Sequence, residues 1–238
     1  MMQRNIGDFE CLFYKSSLPK SLGNIIMFHG YGADAENLAP IRYILDPLER
    51  YHWYLPNGAF KIPLGPSLEG RAWFPLNMME LQMAYIARKF DYFENSKPYG
   101  LFETLHRLNH FFELVQNENE SPQLHIGGFS QGSMLATFAA LGPKLFPHVK
   151  NLFLFSSTLV AMAELKLKFK DLPSDANFQI FQSHGTVDPV LPFSQAVRLG
   201  EILKSCFKNY HFEGFRGGHE IPEFILQKAR LHLEQSYV

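Results

Sequence analysis

One stretch decides the fold predicted for this sequence: Gly127-Gly128-Phe129-Ser130-Gln131-Gly132-Ser133. It follows the apolar run Leu124-His125-Ile126, which predicts a short buried strand, and leads into residues 134–140, which predict a helix. A strand, a Gly-x-Ser-x-Gly turn and a helix are together typical of a nucleophile elbow. So tight a turn needs residues nearly free of side chain two positions before and after the serine, as Gly128 and Gly132 are. The same five-residue pattern also arises by chance in loops, so residues elsewhere in the chain must decide.

Length and composition predict a packed globular protein. A chain of 238 residues is normal for a single α/β domain with one large core, so we expect residues 1–238 to form one domain. Hydrophobic residues make up 46% of the chain and charged residues only 19%, which leaves apolar side chains to line a pocket.

The charge balance argues against polyanionic partners. The 22 Lys and Arg residues face 23 Asp and Glu residues, so no net field would draw the protein to nucleic acid or to an anionic membrane. The first eight residues contain no apolar run like that of a signal peptide, and no window approaches the ~18 apolar residues of a membrane span. We therefore expect a soluble cytoplasmic protein with no stable membrane insertion.

The cysteines and one histidine pair give no metal signature. Cys11 and Cys206 lie far apart with no Cys-x-x-Cys spacing, which argues against a disulfide framework or a zinc site. His106 and His110 are four residues apart in a predicted helix, but no third ligand is spaced to join them. We predict surface histidines there, and no metal.

Short apolar runs alternate with helical patterns along the whole chain. Strands are predicted at residues 9–14, as an edge strand, and at 24–28, 51–55, 124–126, 151–156, 177–182 and 209–212. Helices are predicted at residues 36–45, 99–115 and 193–206, and in a terminal segment that reaches residue 232. This alternation predicts an α/β fold with one mostly parallel central sheet covered by helices on both faces.

Residues 56–97 are harder to assign. Prolines and glycines up to position 75 predict an irregular loop, and a loop of this length is usually functional or disordered. Trp73 and Phe74 favour function, because adjacent large aromatics in a loop must pack on the core or on a ligand. Met78, Met79 and Met83 begin a predicted helical stretch. Methionines at this spacing fill a core more often than they line a substrate site, so we expect core filler here. Whether residues 56–97 form a mobile lid stays open. Further along the chain, the mixture of charged and apolar residues at 163–171 predicts a surface excursion.

Three residues complete a chemical pattern around the elbow. A serine hydroxyl becomes a good nucleophile when a histidine takes its proton, and a buried acid must fix that histidine's tautomer. Ser130, Asp188 and His219 follow the chain order serine, acid, histidine, and each comes just after a predicted strand. Because parallel strands bring such loops to one edge of the sheet, we expect the three side chains to meet there.

The competing residues fit other roles better. His29 and His184 precede glycines at strand ends and fit as groups that order loops, whereas His125 sits inside a strand as a core residue. Asp171 and Asp175 lie in a polar stretch, where solvent would weaken any coupling to an imidazole.

A set of motifs in a fixed order carries a family resemblance. These motifs are His29-Gly30-Tyr31-Gly32, Pro56-Asn57, Gly70-Arg71-Ala72-Trp73-Phe74, Gly128-Phe129-Ser130-Gln131-Gly132, His184-Gly185-x-x-Asp188-x-Val190-x-Pro192 and Gly218-His219. Together they resemble the carboxylesterase/phospholipase family of α/β-hydrolases, which includes the acyl-protein thioesterases. The similarity runs nearly from end to end.

The resemblance implies a role for each matching residue. It makes Ser130 the nucleophile, Asp188 the acid and His219 the base. It further implies an oxyanion hole from the backbone N–H groups of Tyr31 and Gln131, and an acyl site bordered by Trp73, Phe74 and Val190.

The implied activity is hydrolysis of carboxylic esters with short to medium acyl chains through an acyl-enzyme, with no cofactor. The substrate would be a small-molecule or lipid ester, and a homodimer is compatible with the resemblance. Acyl-protein thioesterase or lysophospholipase activity is an alternative within this class. From another class, a catalytically silent binding protein that keeps the fold stays open.

Two departures from the family pattern lie near the expected pocket. Pro75 stands where the family often has an aspartate after Trp-Phe. Ser156-Ser157 stands where the family often has Ser-Gly. Both departures bear on substrate preference and not on the catalytic residues.

Overall fold

The computed structural model describes residues 1–66, 68–87, 89, 91–172 and 178–235. The strands within these residues are β1 Met2–Ile6, β2 Phe9–Tyr14, β3 Asn24–Phe28, β4 His52–Pro56, β5 Phe60–Gly65, β6 Leu68–Ala72, β7 Leu124–Phe129, β8 Val149–Phe155, β9 Gln179–Gly185 and β10 Tyr210–Phe215. Eight of these form one sheet in the order β1-β2-β4-β3-β7-β8-β9-β10, and β5 pairs with β6 in a separate sheet. From β4 to β10 all neighbours in the large sheet are parallel, while β1 and β2 add antiparallel pairs at one side.

The helices follow the strands in sequence. They are α1 Ala35–Leu38, α2 Arg42–Leu45, α3 Met78–Ile86, α4 Tyr92–Asn95, α5 Leu101–Glu118, α6 Gln131–Ala140, α7 Met162–Lys170, α8 Phe193–Cys206 and α9 Glu223–Gln235. Short 3-10 turns lie at Ala39–Ile41 and Phe146–His148. Of the helices in the described residues, none has the length and apolar character to cross a bilayer.

Strand β3 shows why both faces of the sheet are covered. All of its residues are buried, as expected for a strand sandwiched between helical layers. Because side chains alternate across a strand, Ile26 and Phe28 join one core cluster with α5, α6, α7 and α8. Ile25 and Met27 point to the opposite face and pack in a second cluster with α1, α2 and α9. The predicted mostly parallel sheet with helices on both faces is confirmed.

Two sequence-based assignments outside the centre of the sheet are wrong. Residues 9–14 form β2, which is not an edge strand, because β1 pairs along its outer side. Residues 163–171 fall mostly in helix α7 and not in a surface excursion. Met162 and Leu165 are buried there, and Phe169 packs against the same core cluster at helical spacing. The predicted strand at 177–182 begins at Gln179, and residue 177 lies outside the described residues.

The segment predicted as an irregular loop contains a hairpin. β5 and β6 pair antiparallel, with a register shift between Pro63 and Gly65. A proline fits here because a two-stranded sheet has only edge strands, which tolerate a missing N–H donor. Met79 and Met83 are also not core filler, because Met79 is 76% exposed and Met83 is 66% exposed on helix α3. The side chain of Met78 lies outside the described part of the structure.

Candidate active site

The elbow holds Ser130 in a strained backbone conformation. Its φ of 54° and ψ of −121° lie outside the regions that a side chain normally allows. A Cβ on Gly128 would lie 2.4 Å from the carbonyl carbon of Gly132, and a Cβ on Gly132 would lie 2.1 Å from the Phe28 oxygen. Only glycine fits either position, so the start of α6 packs directly on the ends of β7 and β3.

The structure brings Ser130, His219 and Asp188 together. His219 Nε2 lies 2.8 Å from Ser130 Oγ, and His219 Nδ1 lies 2.7 Å from Asp188 Oδ2. The imidazole ring also packs on Phe129, with ring centroids 4.7 Å apart. In this geometry His219 can take the hydroxyl proton while the carboxylate fixes its tautomer.

Asp188 is a buried carboxylate surrounded by N–H donors. Its side chain is fully buried. Oδ1 accepts hydrogen bonds from the backbone N–H groups of Val190 (2.7 Å) and Leu191 (2.9 Å), and His184 Nε2 lies 3.2 Å from Oδ2. Burial alone would raise the pKa of Asp188, but the hydrogen bonds from His184, His219 and Leu191 outweigh it and hold this pKa well below its usual range. Asp188 is therefore ionised at neutral pH.

Backbone hydrogen bonds join the acid loop (residues 186–192) to the base loop (residues 216–222). Thr186 N donates to Phe215 O at 2.7 Å, and Val187 N donates to Gly217 O at 3.1 Å. The two chains approach so closely that a Cβ on Gly185 would lie 2.2 Å from the backbone oxygen of Gly218. The pairing of β9 with β10 thus continues beyond the strands and sets the separation of acid and base.

Two backbone N–H groups next to the serine are unpaired. Within the described residues, the amides of Tyr31 and Gln131 donate to no protein atom. The loop that carries Tyr31 lies against the elbow, because a Cβ on Gly30 would be 3.4 Å from Ser130 Cβ. Both N–H groups therefore remain available to a ligand at Ser130, as the predicted oxyanion hole requires, although the role itself stays a prediction.

His29 fixes the peptide group that carries the Tyr31 N–H. Its Nδ1–H donates to Gly30 O at 2.8 Å, and its Nε2 accepts from Gly58 N–H at 2.9 Å. Since the peptide unit is planar, holding the Gly30 carbonyl also orients the N–H on its other side. The contact with Gly58 needs the neutral imidazole, because a protonated Nε2 cannot accept, and burial lowers the pKa of His29 to about 4. This is the loop-ordering role expected from the sequence.

Buried neutral histidines predict a loss of stability in mild acid. Burial lowers the pKa of His29 to about 4 and that of His125 to about 3, whereas an unfolded histidine titrates near 6.5. The unfolded chain binds protons first, so this stability is complete above pH 6.5 and is lost as the pH falls. Between pH 7 and pH 5 we expect each residue to lower the free energy of unfolding by about 2 kcal/mol.

Urea unfolding at both pH values measures this loss, with His125→Gln as the matched variant. Glutamine can still accept a hydrogen bond from the Asn151 amide, which lies 2.8 Å from His125 Nδ1, but it cannot titrate. Between pH 7 and pH 5, the free energy of unfolding of the variant should fall by about 2 kcal/mol less than that of the wild type. An equal loss in both proteins would contradict the prediction.

Trp73 and Phe74 lie elsewhere than the acyl-site prediction requires. Both side chains are 0% exposed in the main core, and Trp73 Nε1 donates to His29 O at 2.8 Å. Their backbone, not their side chains, approaches the elbow: Gln131 Oε1 accepts from Trp73 N at 2.9 Å, and Gln131 Nε2 donates to Phe74 O at 2.7 Å. Val190 is 47% exposed beside Asp188, a position compatible with the predicted border of the site.

The β5–β6 hairpin supports the loop that carries Tyr31. Gly32 N donates to Arg71 O at 2.8 Å, and Arg71 N donates to Ala33 O at 3.0 Å. A Cβ on Gly70 would lie 2.2 Å from Gly32 O, so glycine is needed for this contact. Sequence reasoning missed this supporting role, although Gly70 and Arg71 belong to a motif that carries the family resemblance.

Ser156 and Ser157 directly follow strand β8. Ser156 has a φ of 49°, whereas Ser157 is not among the described residues with positive φ. A serine in place of the family's glycine at 157 therefore costs no left-handed strain. Asp171 is exposed at the end of α7, and Asp175 lies outside the described residues.

The strand order, the elbow and the hydrogen-bonded serine, histidine and aspartate define an α/β-hydrolase fold. The chain belongs to the phospholipase/carboxylesterase family, whose sequence model matches residues 15–237.

Similar proteins agree with this assignment. An acyl-protein thioesterase 1 from Candida albicans is 33% identical over 141 residues, covering 54% of this chain and 59% of the relative. The chain spans about half the length of the curated relatives it matches. Among solved structures, esterase PE8 superposes with a TM-score of 0.75 at 19% identity over 95% of this chain and 98% of that one. Zea mays acyl-protein thioesterase 2 superposes with a TM-score of 0.71 at 18% identity over 96% and 99%. These two structural likenesses show the fold.

Proposed function

We propose that this chain is a serine hydrolase that cleaves carboxylic esters of short to medium acyl chains. The observation that carries the proposal is the unbroken chain of hydrogen bonds from Ser130 Oγ through His219 to the buried Asp188. Each contact is within 2.8 Å, so proton transfer from the serine needs no rearrangement of these side chains.

The reaction follows from this geometry. As Ser130 Oγ attacks the ester carbonyl carbon, its proton passes to His219 Nε2, and the carbonyl π electrons move to the oxygen. The N–H groups of Tyr31 and Gln131 would hold that oxyanion, each lowering the barrier by about 3 kcal/mol. The tetrahedral intermediate collapses, the ester C–O bond breaks, and His219 returns the proton to the leaving alkoxide. Water then attacks the acyl-enzyme by the same steps and releases the acid.

The chemistry needs no metal or organic cofactor, because the serine, the base and the oxyanion donors all belong to the chain. The substrate would accordingly be a small-molecule or lipid ester that reaches the elbow from the side of Val190, which is partly exposed.

The names of the relatives support a second candidate, an acyl-protein thioesterase. The Candida albicans relative and the Zea mays structure both carry that name. A thiolate leaves more readily than an alkoxide, so the same residues serve both reactions. Values of kcat/KM for ester and thioester pairs of matched acyl length would separate them. Activity on short esters alone would disfavour the thioesterase, and lysophospholipase activity is tested in the same series with a lysophospholipid.

A fluorophosphonate probe tests the proposal directly. The probe should add one mass equivalent to the native protein, mapped to the peptide that contains Ser130, because only an activated serine displaces fluoride from it. Denatured protein should stay unlabelled. A Ser205→Ala variant should label like the wild type, since Ser205 is an exposed serine on α8 whose hydroxyl bonds Ile202 O. A folded protein that does not react would contradict the proposal and favour a silent binding protein.

A further inference from the structure

Asp188 has a second imidazole neighbour that the proposed reaction does not use. His184 lies at the end of β9 and is 0% exposed. Its Nε2 is 2.9 Å from Leu191 O and 3.2 Å from Asp188 Oδ2. The ring thus lies between the strand and the acid loop, with one nitrogen directed at two acceptors.

The contacts of His184 fix its tautomer. A backbone carbonyl and an ionised carboxylate can only accept hydrogen bonds, so Nε2 must carry a hydrogen, which donates to Leu191 O and also faces Asp188 Oδ2. The other ring nitrogen, Nδ1, is buried and has no hydrogen-bond partner within the described part of the chain. A hydrogen on Nδ1 would be an unpaired buried donor, which is costly. His184 therefore carries its hydrogen on Nε2.

The Nε2 hydrogen of His184 faces Asp188 Oδ2, the same oxygen that accepts a hydrogen bond from His219. Asp188 Oδ2 receives His219 Nδ1–H at 2.7 Å and lies 3.2 Å from His184 Nε2, whose nearer acceptor is Leu191 O at 2.9 Å. Oδ1 is held by the amides of Val190 and Leu191. A second donor on Oδ2 restrains the carboxylate and offsets part of the negative charge that His219 experiences. A weaker charge on Oδ2 attracts a proton on His219 less strongly.

We propose that His184 is a positioning residue: it fixes Asp188 Oδ2 toward His219 and moderates the charge that this oxygen presents to the base. This role rests on the proposed hydrolase function. In the described structure, the charged side chain in contact with His219 is Asp188, and the aromatic neighbour on the other side is Phe129. Glu220, on the base loop itself, is exposed and binds Gly218 N. The acid limb of activity should therefore respond to His184 through Asp188.

Replacing His184 with phenylalanine removes the donor and keeps a ring. We expect kcat/KM on p-nitrophenyl butyrate to fall about tenfold, the loss of roughly one hydrogen bond. The midpoint of the acid limb of the pH profile should move up by about half a pH unit, because the unmoderated carboxylate holds the His219 proton more firmly. His184→Gln places an amide N–H near the position of Nε2 and should restore the profile and most of the rate.

His125→Gln is the control for a buried histidine on the same sheet, because His125 lies in β7 with Asn151 as its neighbour and not Asp188. Its pH profile should match that of the wild type. An unshifted acid limb in His184→Phe, with only a lower rate, would reduce His184 to a packing residue and overturn the proposal.

Nuclear magnetic resonance of histidine-labelled wild-type protein gives a readout that needs neither turnover nor a folded variant. That spectrum should show His184 with hydrogen on Nε2. A separate spectrum of folded His184→Phe should show a shift of the downfield His219 Nδ1–H signal. An Nδ1–H tautomer of His184 would overturn the proposal, because no donor would then reach Asp188. Absence of turnover in the wild type would instead refute the proposed function, while this spectrum would still decide the role of His184.

Discussion

Replacing Ser130 with alanine is expected to lower kcat/KM on p-nitrophenyl butyrate by about 10⁵-fold. Alanine removes the attacking oxygen, so only direct attack by water remains, helped by the surrounding N–H groups. The φ of 54° is equally strained for alanine and serine, because both carry a Cβ. We therefore expect the free energy of unfolding to stay within about 1 kcal/mol of the wild-type value. Hydrolysis rates and urea unfolding measure both.

The exposed-serine variant Ser205→Ala should keep the wild-type rate in the same assay. Folded Ser130→Ala protein that retains a tenth of the activity would show that another group attacks the ester. Because Ser133 is close to the elbow and donates to Ser130 O at 2.6 Å, mapping of the fluorophosphonate adduct would identify the alternative nucleophile.

Asp188→Asn is expected to lower kcat by about 10⁴-fold. The four N–H contacts of the carboxylate need acceptors on both oxygens. An asparagine has one acceptor oxygen, so its NH₂ group must face either the two backbone amides or the two imidazoles. If the NH₂ group faces His219 Nδ1, this nitrogen becomes the acceptor and the hydrogen moves to Nε2, where it blocks proton transfer from Ser130. Steady-state kinetics at several pH values measure the loss.

Asp171→Asn is the matched control, because it makes the same change at an exposed residue that ends α7. It should leave kcat unchanged. A loss smaller than 100-fold in Asp188→Asn would mean that this carboxylate does not fix the tautomer of His219. Circular dichroism separates that outcome from unfolding, since the buried NH₂ group also meets two donors and should reduce stability.

The sequence predicted the residues that depend on strand ends. Ser130, Asp188 and His219 each follow a strand of a parallel sheet, so topology alone places them at one edge. The elbow glycines were predicted for a different reason, because the tight turn around Ser130 is a local requirement. The contacts of 2.7 and 2.8 Å in the structure agree with this expectation.

What depends on tertiary contact was not predicted. Trp73 looked like a pocket residue because adjacent aromatics in a loop need a partner, but its partners are the core and His29 O. Pro63 and the nearby glycines hid the β5–β6 hairpin, whose pairing is irregular at that point. Helix α7 was missed because charged and apolar residues alternate along residues 164–170, a pattern that does not have the period of a helix. No local pattern distinguishes these cases.

The continued backbone pairing between the acid and base loops has a consequence for sequence drift. Thr186 and Val187 carry exposed side chains, yet their amides tie β9 to the chain after β10. Main-chain groups are the same in every residue except proline. The spacing of Asp188 and His219 therefore does not depend on which side chains stand at positions 186 and 187. Evolution can therefore reshape the rim that a substrate first meets while the proton path beneath it keeps its dimensions.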